Sequence, residues 1–227
     1  MSQKIELVDK KSPTIVFCLT GNNFSGRFLD SFIALTYFCQ QNNIKYHISR
    51  RECPVVYYVR NMCLGGDLRK GVDQKPFNGN LDYTHLMWID SDMVFTTDHF
   101  QALLKHEKDI VSGIYKMEDN EHFTVIENWN VEYLKQHGTF QFLTNSDMQN
   151  KTGLFNAVYT GFGFMLIKRG VFEALKYPWF EPLFFQFDNI IEFCSEDVSF
   201  CKKAKDKGFD IWVDPAIRIG HEKKIVL

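Results

Sequence analysis

Continuous apolar runs alternate along the chain with stretches in which apolar residues recur every three or four positions, a pattern that predicts strands and helices in turn. Thr14-Ile15-Val16-Phe17-Cys18-Leu19-Thr20 is the first strand, closed by Gly21-Asn22-Asn23. Phe28, Phe32, Leu35 and Cys39 follow at helical spacing and predict a helix over 25–41, stopped by Asn42-Asn43. A second strand over 44–48 completes a β-α-β unit, so both strands are expected parallel in one sheet. Pro54 breaks the chain; a helical pattern resumes over 55–64 and ends at Gly65-Gly66-Asp67, and residues 70–81 read as a loop.

Thr84-His85-Leu86-Met87-Trp88-Ile89 is apolar, of strand length, and ends abruptly in Asp90-Ser91-Asp92. Such a run is expected as a buried strand, central in a parallel sheet. Ligands of open α/β sheets bind just outside the carboxyl ends of the strands, which puts Asp90 and Asp92 at the mouth of a crevice. Two carboxylates so close repel one another unless a cation lies between them, and oxygen ligands suit a hard ion such as Mg²⁺ or Mn²⁺. The alternative is a polar turn in which one Asp caps the next helix.

Beyond it, Thr97 or Asp98 is expected to cap a helix over 99–106, and a strand over 109–115 sets Lys116 on the crevice side. Residues 118–147 lose this regularity, with β-like runs at 123–126 and 140–143 that suggest an antiparallel or irregular region. Residues 157–167 read as a strand pair interrupted by Gly161 and Gly163, the mark of a bulge or of a molecule approaching the backbone. A short helix over 170–176 precedes an aromatic, proline-containing loop over 178–187, where Trp179 is either core or a platform for a sugar ring. Ser195 is the expected N-cap of a helix running to Lys207 and ended by Gly208. Glu196 and Asp197 fall in its first turn, where acids are favoured by the helix dipole alone. A last strand over 209–213 is followed by His221, which is available as a third metal ligand.

At 227 residues, with 22 Phe, the chain can bury a large core as one α/β domain. A net charge of −2 excludes a general electrostatic footprint for nucleic acid or an anionic membrane. The six cysteines include no CxxC pair, residues 1–11 lack the apolar stretch of a signal peptide, and no apolar run is long enough for a transmembrane segment. A cytoplasmic protein is expected. Gly21-Asn22-Asn23 with Ser25-Gly26-Arg27 offers backbone N–H groups and a guanidinium to a phosphate, although it is neither a GxGxxG fingerprint nor a P-loop.

Taken in order, Asp90-Ser91-Asp92, Thr160-Gly161-Phe162-Gly163, Ser195-Glu196-Asp197 and His221 resemble the four motifs of the GT-A class of nucleotide-sugar-dependent glycosyltransferases. The resemblance covers nearly the whole chain. It implies a single GT-A (Rossmann-like) α/β domain over 1–227, a mostly parallel central sheet flanked by helices, with a donor half of about 12–116 and a smaller antiparallel acceptor half of about 117–221. It implies further that Asp90, Asp92 and His221 hold Mn²⁺ or Mg²⁺ against a nucleoside diphosphate sugar. Thr20, Gly21, Arg27, Arg60, Asn61 and Ser91 would line the donor site with them. Lys116, Gly161, Phe162, Gly163, Trp179 and Glu196 would position an acceptor hydroxyl, whose proton Asp197 removes in an inverting displacement. The class also holds retaining enzymes. The second strand leads into Ser49-Arg50-Arg51 where an acidic residue toward the base is typical, so the nucleotide stays open. So does the acceptor, whether a glycan, a lipid-linked sugar, a protein or a modified nucleic acid. Two other classes compete: a nucleotidyltransferase acting on a sugar phosphate, which would want a basic glycine-rich loop early in the chain, and a non-catalytic nucleotide-sugar-binding module, which would not need Asp197.

Overall fold

Residues 12–223 are described in a computed structural model. The signal-peptide expectation drawn from residues 1–11 lies outside them. In chain order the elements are β1 (Thr14–Thr20), α1 (Gly26–Gln41), β2 (Lys45–Arg51), α2 (Val56–Cys63), β3 (His85–Asp90), β4 (Met93–Val94), α3 (Thr97–Lys105), β5 (Ile110–Ile114), β6 (Val125–Ile126) and α4 (Val131–His137). There follow α5 (Asn145–Gln149), β7 (Phe155–Ala157), β8 (Tyr159–Thr160), β9 (Phe164–Lys168), α6 (Val171–Ala174), β10 (Leu183–Phe187), β11 (Ile190–Cys194), α7 (Glu196–Asp206), β12 (Ile211–Arg218) and β13 (Gly220–His221).

A seven-stranded sheet in the order β2-β1-β3-β9-β5-β12-β7 forms the frame. β1 is parallel to β2 and β3, and β5 is parallel to β12, whereas β9 runs antiparallel to both β3 and β5, and β7 to β12. Successive side chains on a strand point to opposite faces, so each apolar run feeds two cores. Val16, Cys18, Leu86 and Trp88 pack on one face with Phe172, Trp179, Phe180 and Phe200. Ile15, Phe17, Met87 and Ile89 pack on the other with Leu35, Phe100 and Leu103. A strand covered on both faces has no polar side to show, which is why β1 and β3 read as unbroken apolar runs. The result is the mixed α/β architecture the chain was expected to adopt, a mostly parallel sheet between helices with small antiparallel pairs beside it.

Local chemistry sets the boundaries. Ser25 Oγ accepts the Phe28 N–H at 3.0 Å and starts α1. α3 is capped at Thr96, one residue before the expected Thr97, because His99 Nδ1 accepts the Thr96 N–H at 3.3 Å. β2 outlasts its expected end and runs to Arg51, carried by continuous register with β1 as far as Thr20↔Arg51.

The larger departures lie after β5. The expected β-like run at 140–143 is not a strand; α4 and α5 flank it, started by Asn130, whose Oδ1 accepts the Tyr133 N–H at 3.0 Å, and by a Thr144–Asp147 capping box. The expected strand pair over 157–167 is three separate pieces, with only β9 entering deep into the sheet. The expected loop at 178–187 holds β10, which pairs with β11 in a hairpin.

Candidate active site

The carboxyl ends of β1, β3 and β5 converge with the start of α7 and the end of the described chain. Arg60, on α2, is the hub: it is 4% exposed. Its Nη1 and Nη2 donate to the two Asp90 oxygens at 3.0 Å each, and its Nε donates to Glu196 Oε1 at 2.9 Å. Thr20 Oγ1 donates to Asp90 Oδ1 at 2.6 Å. The guanidinium lies over Trp88 and Phe162, 5.7 and 5.1 Å from their centroids. Burial lowers the Arg60 pKa, and Asp90 and Glu196 more than offset this and keep the guanidinium firmly charged. Burial pushes the Glu196 carboxyl above its usual range, with Arg60 pulling it back.

Two residues further on, Asp92 faces elsewhere. Its Oδ2 lies 3.0 Å from His221 Nε2 and 3.4 Å from Lys223 Nζ. The contact joins residues 129 apart in sequence, brought together because β13 pairs antiparallel with β4, His221 opposite Met93. Burial raises the Asp92 carboxyl, yet the hydrogen bonds and charges of His221 and Lys223 together outweigh it and the net shift is downward. Burial likewise lowers His221, which Asp92 and the Lys116 carbonyl reverse to a net rise. His221 Nδ1 donates to that carbonyl at 2.7 Å. With Nδ1 carrying a proton, Nε2 of a neutral ring presents a lone pair toward a carboxylate. Such a pair is favourable only if the ring is protonated or a cation lies between them.

Asp197 stands at the α7 N-terminus. Its Oδ2 accepts the Tyr159 hydroxyl at 2.9 Å; its Oδ1 accepts the Val198 N–H at 2.8 Å and the Ser195 hydroxyl. Ser195 thus keeps the N-cap position while its hydroxyl serves Asp197 instead of the backbone. Tyr159 is buried, which raises its phenol well above the ordinary range and keeps it a donor.

Tyr115, at the end of β5, links the pieces. Its ring meets His221 edge-on at 5.2 Å and its hydroxyl accepts the Gly163 N–H at 2.9 Å. A Cβ on Gly161 would lie 2.2 Å from the Tyr115 hydroxyl and one on Gly163 2.7 Å from its ring, so both glycines are required by Tyr115. At Gly21, with φ +129°, a Cβ would likewise lie 2.6 Å from Ser91 Oγ. A cleft of about 260 Å³ lined by Thr20, Arg60, Asp90 and Asp92 shares Ser91 and Asp92 with a second of about 680 Å³ bordered by Asn22, Ser25, Glu222 and Lys223.

Several expected roles change. Trp179 is completely buried and offers no face to a sugar; Phe162, 1% exposed, belongs to the same aromatic core under Arg60. Asn61 spends its amide on the chain itself, donating to Tyr57 O and Phe180 O at 2.7 Å and accepting from the Trp179 and Phe180 N–H groups. It fixes the loop after α6 and has nothing left for a nucleotide. Arg60, expected along the donor site, borders the smaller cleft as a buried strut between Asp90 and Glu196, and the glycine loop accommodates Tyr115. Lys116 Nζ donates to Asn120 O at 3.0 Å, so its backbone carbonyl is what reaches the site. Arg27 is exposed, 4.0 Å from Glu222. The three expected metal ligands are divided, since Asp92 and His221 meet while both Asp90 oxygens are engaged by Arg60. Tyr115, Tyr159 and Lys223 were not expected at the site; single tyrosines in apolar runs look like core.

Among the described residues no group of three or more His, Cys, Asp and Glu side chains is gathered around one point. Mg²⁺-type ions, however, are often held by one or two protein groups and completed by substrate phosphates and water, and the Asp92–His221 pair fits that use. Asp90 does not.

No family model matches the chain, and no curated protein matches it. Among solved structures it is similar to A197 from STIV, with 18% identity, a TM-score of 0.50, and coverage of 95% of this chain and 96% of that one. It is also similar to the glycosyltransferase GalNAc-T7, solved with UDP, GalNAc and Mn²⁺, with 12% identity and a TM-score of 0.55. That match covers 96% of this chain but only 45% of GalNAc-T7, so this chain spans less than half of its length. At such identities the likeness is one of fold, and the fold is glycosyltransferase-like.

Proposed function

We propose that the chain is a metal-dependent glycosyltransferase that moves a sugar from a nucleoside diphosphate sugar to an acceptor hydroxyl with inversion. The observation that carries this is the 3.0 Å Asp92–His221 contact at a strand mouth, where a carboxylate oxygen and an imidazole nitrogen from residues distant in sequence stand close enough to share one cation. The presence of UDP and Mn²⁺ in the structure of GalNAc-T7, on a similar fold, supports the same assignment. Asp92 and His221 would hold Mn²⁺ or Mg²⁺, which when bound supplies charge neutralisation for the departing diphosphate. Residues of about 12–116 would serve the donor and those of about 117–221 the acceptor.

In the transfer, the acceptor oxygen bonds to the anomeric carbon as the carbon–oxygen bond to the diphosphate breaks, and the hydroxyl proton passes to Asp197. Its Oδ1 already accepts two hydrogen bonds and its Oδ2 one, which leaves Oδ2 a lone pair for that proton. Tyr159 orients the carboxylate. Arg60 holds Asp90 and Glu196 in fixed positions, so the donor and acceptor sides share one buried cation.

Thermal unfolding with a panel of nucleotides and Mn²⁺ tests the assignment. Stabilisation confined to nucleoside diphosphate sugars, with slow donor hydrolysis, is the expected result. Stabilisation by nucleoside triphosphates alone would instead favour nucleotidyl transfer, and donor binding without any turnover would favour a binding module.

A further inference from the structure

β2 is the outer strand of the main sheet, and the surface around it is apolar. Of the twelve large apolar side chains that are at least 40% exposed among the described residues, three lie on α1, one on β2 and three on α2. Leu29, Ile33 and Tyr37 recur every four residues and form one stripe along α1. Ser31, which accepts the Phe95 N–H at 3.2 Å, turns the opposite flank of α1 toward β4 and α3, so the stripe lies on the β2 side. Tyr46 meets Phe17 at 5.7 Å in the core layer beneath α1, and Ile48, two residues on, projects to that same face. Across the sheet, the Ser49 hydroxyl donates to the Cys63 carbonyl at 2.7 Å and seats α2 against β2, with Tyr58 and Met62 exposed.

The backbone of this edge is open as well. The Arg51 carbonyl accepts the Gly21 N–H, so Lys45, His47, Ser49 and Arg51 bond inward to β1 while Tyr46, Ile48 and Arg50 turn their backbone groups outward. An open apolar edge is a template for another strand. Charged side chains ordinarily guard against this, but Lys45, His47 and Arg51 alternate onto the α2 face, and Arg50 is paired with Glu52.

We propose that a second copy of this chain docks here, β2 antiparallel to β2 across a twofold axis at Ile48, so that the two sheets become one. This register opposes Ile48 to Ile48, whose outward N–H and C=O groups pair reciprocally, and Tyr46 to Arg50. The Arg51 guanidinium, which donates to the Arg50 carbonyl at 2.8 Å, yields that carbonyl to the incoming strand. The α1 stripe meets its own copy, as an isologous contact requires. The area fits such a contact. At roughly 60–120 Å² per aliphatic side chain and about 200 Å² per tyrosine, the seven side chains at their observed exposures present roughly 450 Å². Interfaces are about 57% apolar, so this patch belongs to one of about 800 Å² per partner, the size of a stable complex. Because the paired strands run in opposite directions, the clefts at their carboxyl ends open away from each other and neither copy covers the other's.

Sedimentation velocity of the full chain over a concentration series should show a reversible dimer of twice the 26.6 kDa chain mass. The dimer should tighten as salt rises, because Lys45 faces Arg51 of the other copy at each end of the paired strands. Ile33→Glu, at an exposed helix position, should weaken it at least about tenfold. Ile48→Pro should do the same with the fold intact, since the N–H it removes points out of the sheet, and Ile48→Lys replaces it if thermal melting shows that the proline variant does not fold. Phe184→Glu, on the distant β10–β11 hairpin, should leave the dimer at wild-type strength. A monomer at every concentration up to about 1 mM would overturn the proposal and leave this edge to a different protein. So would a dimer that weakens with salt, that survives Ile33→Glu or the Ile48 variant, or that is lost in Phe184→Glu.

Discussion

Asp197 and its neighbour Glu196 occupy adjacent positions with opposite surroundings. Glu196 is buried against Arg60, whereas Asp197 is half-buried and accepts from a phenol. As a helix N-terminal acid alone, Asp197 would contribute about 0.5 kcal/mol, and Asp197→Asn would barely change turnover. As the base, its loss should lower kcat roughly 10²–10⁴-fold with donor affinity retained. Steady-state kinetics on Asp197→Asn and Glu196→Gln decides, and near-normal transfer by the first would remove the assignment. Arg60 gives a separate expectation. Arg60→Met strands Glu196 and Asp90 without their cation and should cost about 3–5 kcal/mol in urea unfolding. Adding Glu196→Gln should recover part of it, since the deepest carboxylate is then neutral. A loss under about 1 kcal/mol would mean that water reaches the triad after all.

At the scale of the element, the apolar runs foretold β1, β3 and α1 almost to the residue, because strands covered on both faces carry no polar side to confuse the period. Direction was not legible. β9 is as apolar as β3, yet it runs antiparallel to it, and nothing in an unbroken apolar run encodes that. The helices α4 and α5 were signalled by Asn130 and Thr144, cap residues masked by the aromatic residues between them. The β3–β9 pair has its own pH signature. His85 sits opposite Lys168, and burial, aided by that like charge, lowers its pKa from 6.5 to about 4. The unfolded chain therefore binds a proton that the folded chain refuses between those values, so stability is intact above pH 6.5 and falls as pH drops toward 4. The loss is on the order of 3 kcal/mol. Urea unfolding of wild type and His85→Gln across this range should show the difference, and parallel curves would contradict it.

For the whole molecule, a cleft at the strand ends was readable from Asp90-Ser91-Asp92. What joins it to the start of α7 and to the glycine loop was not, because it runs through residues distant in sequence: Arg60 between Asp90 and Glu196, and Tyr115 between Gly163 and His221. Motif spacing places acids at strand and helix ends but does not say which acid a buried arginine will claim. That choice separates Asp90 from Asp92. The most direct test is calorimetric titration of a nucleoside diphosphate sugar at increasing Mn²⁺ into wild type, Asp92→Asn, His221→Ala and the double variant. If the two residues share one ion, each single variant raises the metal midpoint and the double is little worse than either, since the second change removes a contact already lost. Binding that persists in excess chelator, with the same affinity in all four proteins, would contradict the account.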